Sequence, residues 1–260
     1  MSFLEDPNFK ALESAVREAG EFLLSKWPGG QEERRDLSVR AKADGSLVSA
    51  ADMGSNEILM TAISRLFPAD LVISEEVESD PKAVRAATRA WIIDPLDGTK
   101  AFLEGRDDFS VLVGLTVEKA PYAGIMCFPA RGQMFRAHRG HGAFRDGQPL
   151  RVSSSRSPRA GKVYARNCSL KDRELESPFM DSGCAFSMVA SGELDGVVLR
   201  MTTHREWDLA APMSVMLEAG ATITDERGTP VVIGVGEITF HYLVASNGLV
   251  HEALLAQISQ

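Results

Sequence analysis

The sequence is poor in the features that mark specialised protein classes. Its three cysteines, Cys127, Cys168 and Cys184, are an odd number without a CxxC spacing, so they read as reduced, mostly buried thiols of a cytoplasmic protein. The five histidines, His138, His141, His204, His241 and His251, form no ligand-spaced pair and are read as structural. There is no basic run or arm. Lys and Arg number 28 against 36 Asp and Glu, a net charge of −8, and nucleic acid is therefore not an expected partner. No apolar run approaches the ~20 residues that span a bilayer. The opening MSFLEDPNFKALESAV lacks the basic and apolar blocks of a signal peptide. Neither an internal repeat nor a low-complexity segment occurs.

What remains is an ordinary globular composition, 44% hydrophobic and 25% charged over 260 residues, enough for one large or two small domains. Asp6-Pro7 is a helix start, with Phe9, Leu12, Val16, Ala19 and Leu23 at helical spacing and a stop at Trp27-Pro28-Gly29-Gly30. Residues 37–49 alternate around Asp44-Gly45, as in a hairpin. A second helix is expected from about Asp52 to Leu66. Short strands follow at Leu71–Ile73, ending in Ser74-Glu75-Glu76, and at Ala90–Ile93, ending at Asp94. Residues 109–117, 122–127 and 133–138 read as antiparallel strands, and Asp146-Gly147 as a hairpin turn. SSSRSPRAG (153–161) is the best linker candidate. Beyond it strands and helices alternate: strands at 162–165, 196–199, 221–224 and 242–246, helices at 183–191 and 207–219 with Gly220 as C-cap, and a last helix to the end. The division is an α+β half over 1–152 and an α/β half over 153–260, layered into one unit.

Three acidic clusters close apolar segments. Glu75 and Glu76 follow one strand, Asp94 and Asp97 another, and Asp208 opens a helix. Each alone is a plausible solvated strand end or helix cap. Asp94 and Asp97, however, sit three residues apart in WIIDPLDGTKAF (91–102), and like charges so close repel unless a cation lies between them. Pro95 fixes φ and Gly98 removes a side chain, so the turn can aim both carboxylates and a backbone carbonyl at one point. Oxygen ligands without His or Cys suit Mg²⁺ or Mn²⁺. Asp97-Gly98-Thr99 also reads as a first helical turn, whose free N–H groups attract phosphate. Together these features point to metal-assisted phosphoryl chemistry.

WIIDPLDGTKAF resembles the W-x-[IV]-D-P-[IL]-D-G-T-x-x-F signature of the inositol monophosphatase superfamily. KADGSLVSAAD (42–52), ISEE (73–76), RGHGAFRDGQPLRVS (139–153) and EWDLAAPMSVMLEAGATITD (206–225) resemble further segments of that superfamily, in its order. The resemblance implies a layered αβαβα sandwich and an Mg²⁺-dependent, Li⁺-sensitive phosphomonoesterase with two or three ions. It assigns Glu75, Asp94 and the Leu96 carbonyl to one ion and Asp94, Asp97 and Asp208 to a second, with Asp94 bridging; Glu75 also reaches a third, weaker ion. Thr99, backed by Asp52, orients the attacking water, and the N–H groups of Gly98 and Thr99 hold the phosphate. Glu76 and Lys42 fall in the surrounding shell, and Ser182, Gly183 and Arg205 among the substrate contacts. The likeness also implies a homodimer acting on a small phosphorylated metabolite.

The substrate signals conflict. Leu96, Lys100 and the SGCAFSMVASG helix (182–192) lean toward the adenosine bisphosphate phosphatases, but Ala185 stands where that branch carries a lysine. Met201 stands where inositol monophosphatases often carry a glutamate, and the neighbouring Arg200, His204, Arg205 and Glu206 are the candidates for other polar contacts. Phe102-Leu-Glu-Gly105 and Phe109 fit the inositol and histidinol phosphate branches better. A different class, a non-catalytic regulator that kept the fold, would be free to lose the pair Asp52 and Thr99; both are present, which favours an enzyme.

Overall fold

The computed structural model describes residues 6–29, 40–41, 47–48, 50–158, 162–168, 180–202 and 204–258. Helix α1 (Pro7–Lys26) begins as its sequence dictates. The Asp6 carboxylate accepts from the backbone N–H groups of Asn8 and Phe9, and Pro7 occupies the first helical position, where no N–H is needed. Its apolar stripe, Phe9, Leu12, Val16, Ala19 and Leu23, is fully buried. Strands β1 (Arg40–Ala41) and β2 (Leu47–Val48) pair antiparallel, as the alternating segment suggests; the Asp44-Gly45 turn itself and Lys42 lie outside the described residues. Helix α2 (Ala50–Leu66) starts two residues earlier than expected. Asp52 therefore sits inside the first turn, not at the cap, and is buried.

A seven-stranded sheet follows, built from β3 (Leu71–Ser74), β4 (Arg89–Asp97), β5 (Ser110–Val117), β6 (Ala120–Phe128), β7 (Gln133–His138), β8 (Gly142–Arg145) and β9 (Gln148–Pro149) in that spatial order. Only β3 and β4 are parallel, joined through α3 (Pro81–Ala86); every other pairing is antiparallel. Asp146 and Gly147 form the two-residue turn between β8 and β9, both at positive φ, and the Arg139–His141 link is likewise a hairpin turn. A second sheet of four strands, ordered β10 (Val163–Arg166), β11 (Gly196–Arg200), β13 (Tyr242–Ser246), β12 (Thr222–Asp225), carries α5 (Ser182–Ala190), α6 (Trp207–Glu218) and α7 (His251–Leu255). The last helix is one short turn, not a run to the chain end.

Side-chain alternation turns these elements into five layers. On β4 and β5, Trp91, Ile93, Val111, Val113 and Leu115 face α1 and α2, while Ile92 and Leu112 face α5 and α6. The far side of α5 and α6 packs on Val197, Leu199, Leu243 and Ala245 of the second sheet, whose outer face meets α7 through Val198, Val244 and Leu254. The order is helices, sheet, helices, sheet, helix: the αβαβα sandwich. Burial on both faces explains why β4 is a continuous apolar run. Gly114 and Gly124 are cross-strand partners on β5 and β6. A Cβ on either would come within 2.5 Å of Ala210 or Ala211 of α6. Their lack of a side chain lets α6 lie directly on the sheet.

Candidate active site

The acidic residues converge through a fault in β4. The strand runs on to Asp97, three residues beyond the end expected from the sequence, and its pairing with β5 shifts between Asp94, opposite Leu112, and Asp97, opposite Ser110. Between these pairs two residues on β4, Pro95 and Leu96, stand against one on β5, Val111, a β-bulge. In a regular strand residues i and i+3 point to opposite faces; the extra residue brings Asp94 and Asp97 to the same side. Asp208 arrives from the first turn of α6, the helix seated on the two sheet glycines. Ligand oxygens of Asp94, Asp97 and Asp208 all lie within 4.8 Å of one another.

Each carboxylate is held by a specific donor. Asp94 Oδ1 accepts from Leu96 N at 3.0 Å, Asp208 Oδ2 from Arg205 N at 2.6 Å, and Asp97 Oδ2 from Gly183 N at 3.0 Å. Burial pushes the Asp94 carboxyl well above the usual carboxylate range, and the neighbouring charges of Glu75, Asp97 and Asp208 add to the effect. Asp97 rises for the same first reason, then through Asp181 and Asp208, against the Gly183 and Ser110 hydrogen bonds that lower it. Burial likewise raises Asp208, to about 7. A buried group of mutually repelling carboxylates is short of positive charge, and an all-oxygen donor set of this kind fits a hard divalent cation. Asp94, Asp97 and Asp208 would hold it, with Glu75, which immediately follows β3, beside Asp94.

Helix α2 completes the cluster. Asp52 and Ser55, one turn apart, face the bulge together. Ser55 Oγ donates to the Pro95 carbonyl at 2.7 Å, and Asp52 Oδ1 accepts from Thr99 Oγ1 at 3.1 Å. The Leu96 carbonyl lies 3.2 Å from the same hydroxyl. Gly98 precedes the short helix α4 (Thr99–Leu103) with φ 84°, ψ 38°, a left-handed conformation that favours glycine. A Cβ there would also stand 2.9 Å from Asp181 Oδ2.

The remaining expected residues are less uniformly placed. Ser182 lines the 220 Å³ cavity over the carboxylates, but it and Gly183 point at Asp97. Arg205 and Glu76 line a larger neighbouring cavity of 600 Å³ that touches the site through Glu75. Ala185 is fully buried in the core, so it faces no substrate. Two residues without an expected role, Asp181 and Arg166, also line the smaller cavity, together with His204, one of the polar side chains beside Met201. Asp181 is 3.7 Å from Arg166 and 3.9 Å from Arg106, and burial raises its carboxyl to about 6. His204, with neither ring nitrogen hydrogen-bonded, is lowered by burial to about 4 and is neutral near pH 7. Asp181 adjoins the 182–192 segment, but nothing in its spacing marks it.

A buried all-oxygen cluster beside a carboxylate-backed hydroxyl defines a metal-dependent phosphate-ester hydrolase. The chain belongs to the inositol monophosphatase family, whose model matches residues 5–260; it is a phosphoric monoester hydrolase of a metal-dependent family. It is 34% identical over 239 residues to a histidinol-phosphatase of Chlorobaculum parvum, covering 86% of this chain and 88% of that one. It is 31% identical over 217 residues to a 3'(2'),5'-bisphosphate nucleotidase CysQ of Aggregatibacter actinomycetemcomitans, covering 76% and 79%. The solved structure of the extragenic suppressor protein suhB of Bartonella henselae superposes with a TM-score of 0.81 at 25% identity, covering 97% of this chain and 98% of that one.

Proposed function

We propose that the chain hydrolyses a small-molecule phosphate monoester with Mg²⁺, in the manner of an inositol monophosphatase. The observation that carries this is the meeting of Asp94, Asp97 and Asp208 within 4.8 Å, next to the Thr99–Asp52 hydrogen bond. When bound, the divalent ions polarise the phosphate and acidify water at the site. Two ions, or three with the weaker one at Glu75, follow the family likeness, and Mn²⁺ is a fitting substitute.

The chain's own groups set up the attack. Thr99 has one hydroxyl proton and two neighbouring acceptors, Asp52 Oδ1 and the Leu96 carbonyl. The Leu96 carbonyl would help hold an ion; the Thr99 proton is donated to Asp52, and the Thr99 lone pairs accept from the attacking water. As the water gives a proton to Thr99 Oγ1, the Thr99 hydroxyl passes its own to Asp52, which is buried on α2. The backbone N–H groups of Gly98 and Thr99, at the start of α4, hold the phosphate oxygens. The water oxygen bonds to phosphorus, the bond to the alcohol oxygen breaks, and that oxygen takes a proton from solvent.

The substrate's organic half faces Asp181, Arg166, His204 and Ser182 across a small polar cavity. The name of the Chlorobaculum relative puts histidinol phosphate beside inositol phosphate in the test panel. A bisphosphate is less well served: the position of the usual lysine, Ala185, is buried, and a second phosphate would have to rely on Arg166 or Lys100. We propose further that the protein acts on a free metabolite in the cytoplasm as a homodimer, without nucleic acid or membrane. The net charge of −8 supports the absence of nucleic acid, and no helix among the described residues is long and apolar enough to cross a membrane. Phosphate release from inositol 1-phosphate, histidinol phosphate and 3′-phosphoadenosine 5′-phosphate, ranked by kcat/KM, tests the substrate. Light scattering on the eluting protein tests the dimer.

A further inference from the structure

Asp97 is gripped more tightly than a metal ligand needs. Its Oδ2 accepts from Gly183 N at 3.0 Å and lies 3.2 Å from the Ser110 hydroxyl. The Ser182 hydroxyl lies 3.4 Å from Oδ1. Both serines are buried, Ser110 completely, and Ser110 is the residue directly across from Asp97 in the β4–β5 pairing. A Cβ on Gly183 would come 2.6 Å from Asp97 Oδ2 and 2.8 Å from Ser110 Oγ. The grip therefore depends on a bare backbone N–H at that position. Asp208 shows the same division of labour, with Oδ2 spent on Arg205 N.

A carboxylate with one oxygen committed to two internal donors cannot swing to offer both oxygens to an ion. That restriction discriminates between cations. Mg²⁺ accepts single oxygens in near-octahedral geometry at ~2.0–2.1 Å, whereas Ca²⁺ collects six to eight oxygens at ~2.3–2.6 Å and commonly takes carboxylates two-oxygen-wise. We propose that Ser110 and the Gly183 N–H are positioning groups that hold Asp97 Oδ2 and limit the carboxylate to one-oxygen ligation through Oδ1, whose direction Ser182 sets, and so select the smaller divalent ions over Ca²⁺. The proposal rests on the metal reading above. It gives the SGCAFSMVASG segment a second role: the start of α5 reaches across from the second sheet's helix layer and sets the coordination mode of a ligand on the first sheet.

The test is calorimetric titration of Mg²⁺, Mn²⁺ and Ca²⁺ into the ion-stripped full-length protein, in wild type, Ser110→Ala, Ser110→Thr and Ser110→Ala/Ser182→Ala. Loss of outer supports of this kind typically weakens a metal site 10- to 100-fold. The expected result is a fall in Mg²⁺ affinity of about tenfold or more in the double variant, with a smaller fall for Ca²⁺. The Ca²⁺-to-Mg²⁺ affinity ratio then rises. Ser110→Thr, which keeps the hydroxyl, holds the wild-type ratio. An unchanged ratio in Ser110→Ala and the double variant would overturn the proposal. So would equal shifts in Ser110→Ala and Ser110→Thr, which would reduce Ser110 to a packing role. Ser110→Ala alone carries the comparison if the double variant does not fold. A wild-type protein that binds none of the ions would instead overturn the metal reading itself.

Discussion

Asp94 is buried among three other carboxylates, and that crowding sets what its replacement should do. Asp94→Asn keeps the shape and removes the charge that a divalent ion needs. Since metal polarisation supplies several kcal/mol of transition-state stabilisation, kcat/KM should fall by roughly 10³-fold or more. The melting temperature of the ion-free protein should hold or rise, because a repelling charge has gone. At Thr99 and Asp52 the hydrogen bond makes one unit of two residues. Thr99→Val and Asp52→Asn should each lower kcat by roughly 10²–10⁴-fold, and the double variant little further. Additive losses, read from steady-state kinetics, would show that the two act independently. Much of this cluster was legible beforehand because WIIDPLDGTKAF places its members within one stretch. Asp181 and Arg166 were not, and His204 was legible only as a polar neighbour of Met201. Their meaning comes from burial at the wall of one cavity, and burial is decided by which elements the topology brings together. His204 in particular has no ligand-spaced partner in sequence.

Among the elements, two features of backbone shape carry the site. The first is the bulge in β4, followed by the left-handed turn at Gly98. Gly98→Ala would meet about 1–2 kcal/mol of backbone strain and a close approach to Asp181 Oδ2. A melting temperature lowered by several degrees and near-complete loss of phosphate release are expected. The second is the seat of α6 on Gly114 and Gly124. Gly124→Ala should cost about 1–3 kcal/mol by overpacking. By lifting Asp208 from Asp94 it should also raise the Mg²⁺ concentration needed for half-maximal activity, which a Mg²⁺ titration reads directly. The alternation of apolar residues gave most of the longer strands and helices to within a few residues, but not α3, β8 or β9, nor the short span of α7. It could not give the bulge, since Pro95 after an aspartate reads equally well as the end of a strand. Nor could it show that Ala185 faces the core, because α5 is buried on nearly every side.

For the whole molecule, the five-layer sandwich closes over a surplus of negative charge, and its stability should report that. Unfolded carboxylates titrate near 4, while the folded, ion-free protein holds Asp208 up at about 7, with Asp94 and Asp97 raised as well. Between those values the folded state binds more protons than the unfolded one, so stability falls as pH rises from about 4 to about 7. His204 works in the opposite sense. Its neutral form is favoured in the fold, so its contribution is complete above about 6.5 and lost as pH falls toward 4. That contribution is common to samples with and without the ion. The rise in melting temperature on adding saturating Mg²⁺ should therefore be clearly larger at pH 8 than at pH 5; equal rises at the two values would argue against an ion among these carboxylates.

The central claim is that this carboxylate cluster hydrolyses phosphate monoesters with a divalent ion. It is tested most directly by phosphate release from the substrate panel with Mg²⁺, with EDTA, and with Asp94→Asn. The account predicts turnover of at least one monoester that disappears with EDTA, returns with Mg²⁺ or Mn²⁺, and is lost in Asp94→Asn. Turnover that survives both EDTA and Asp94→Asn would contradict it.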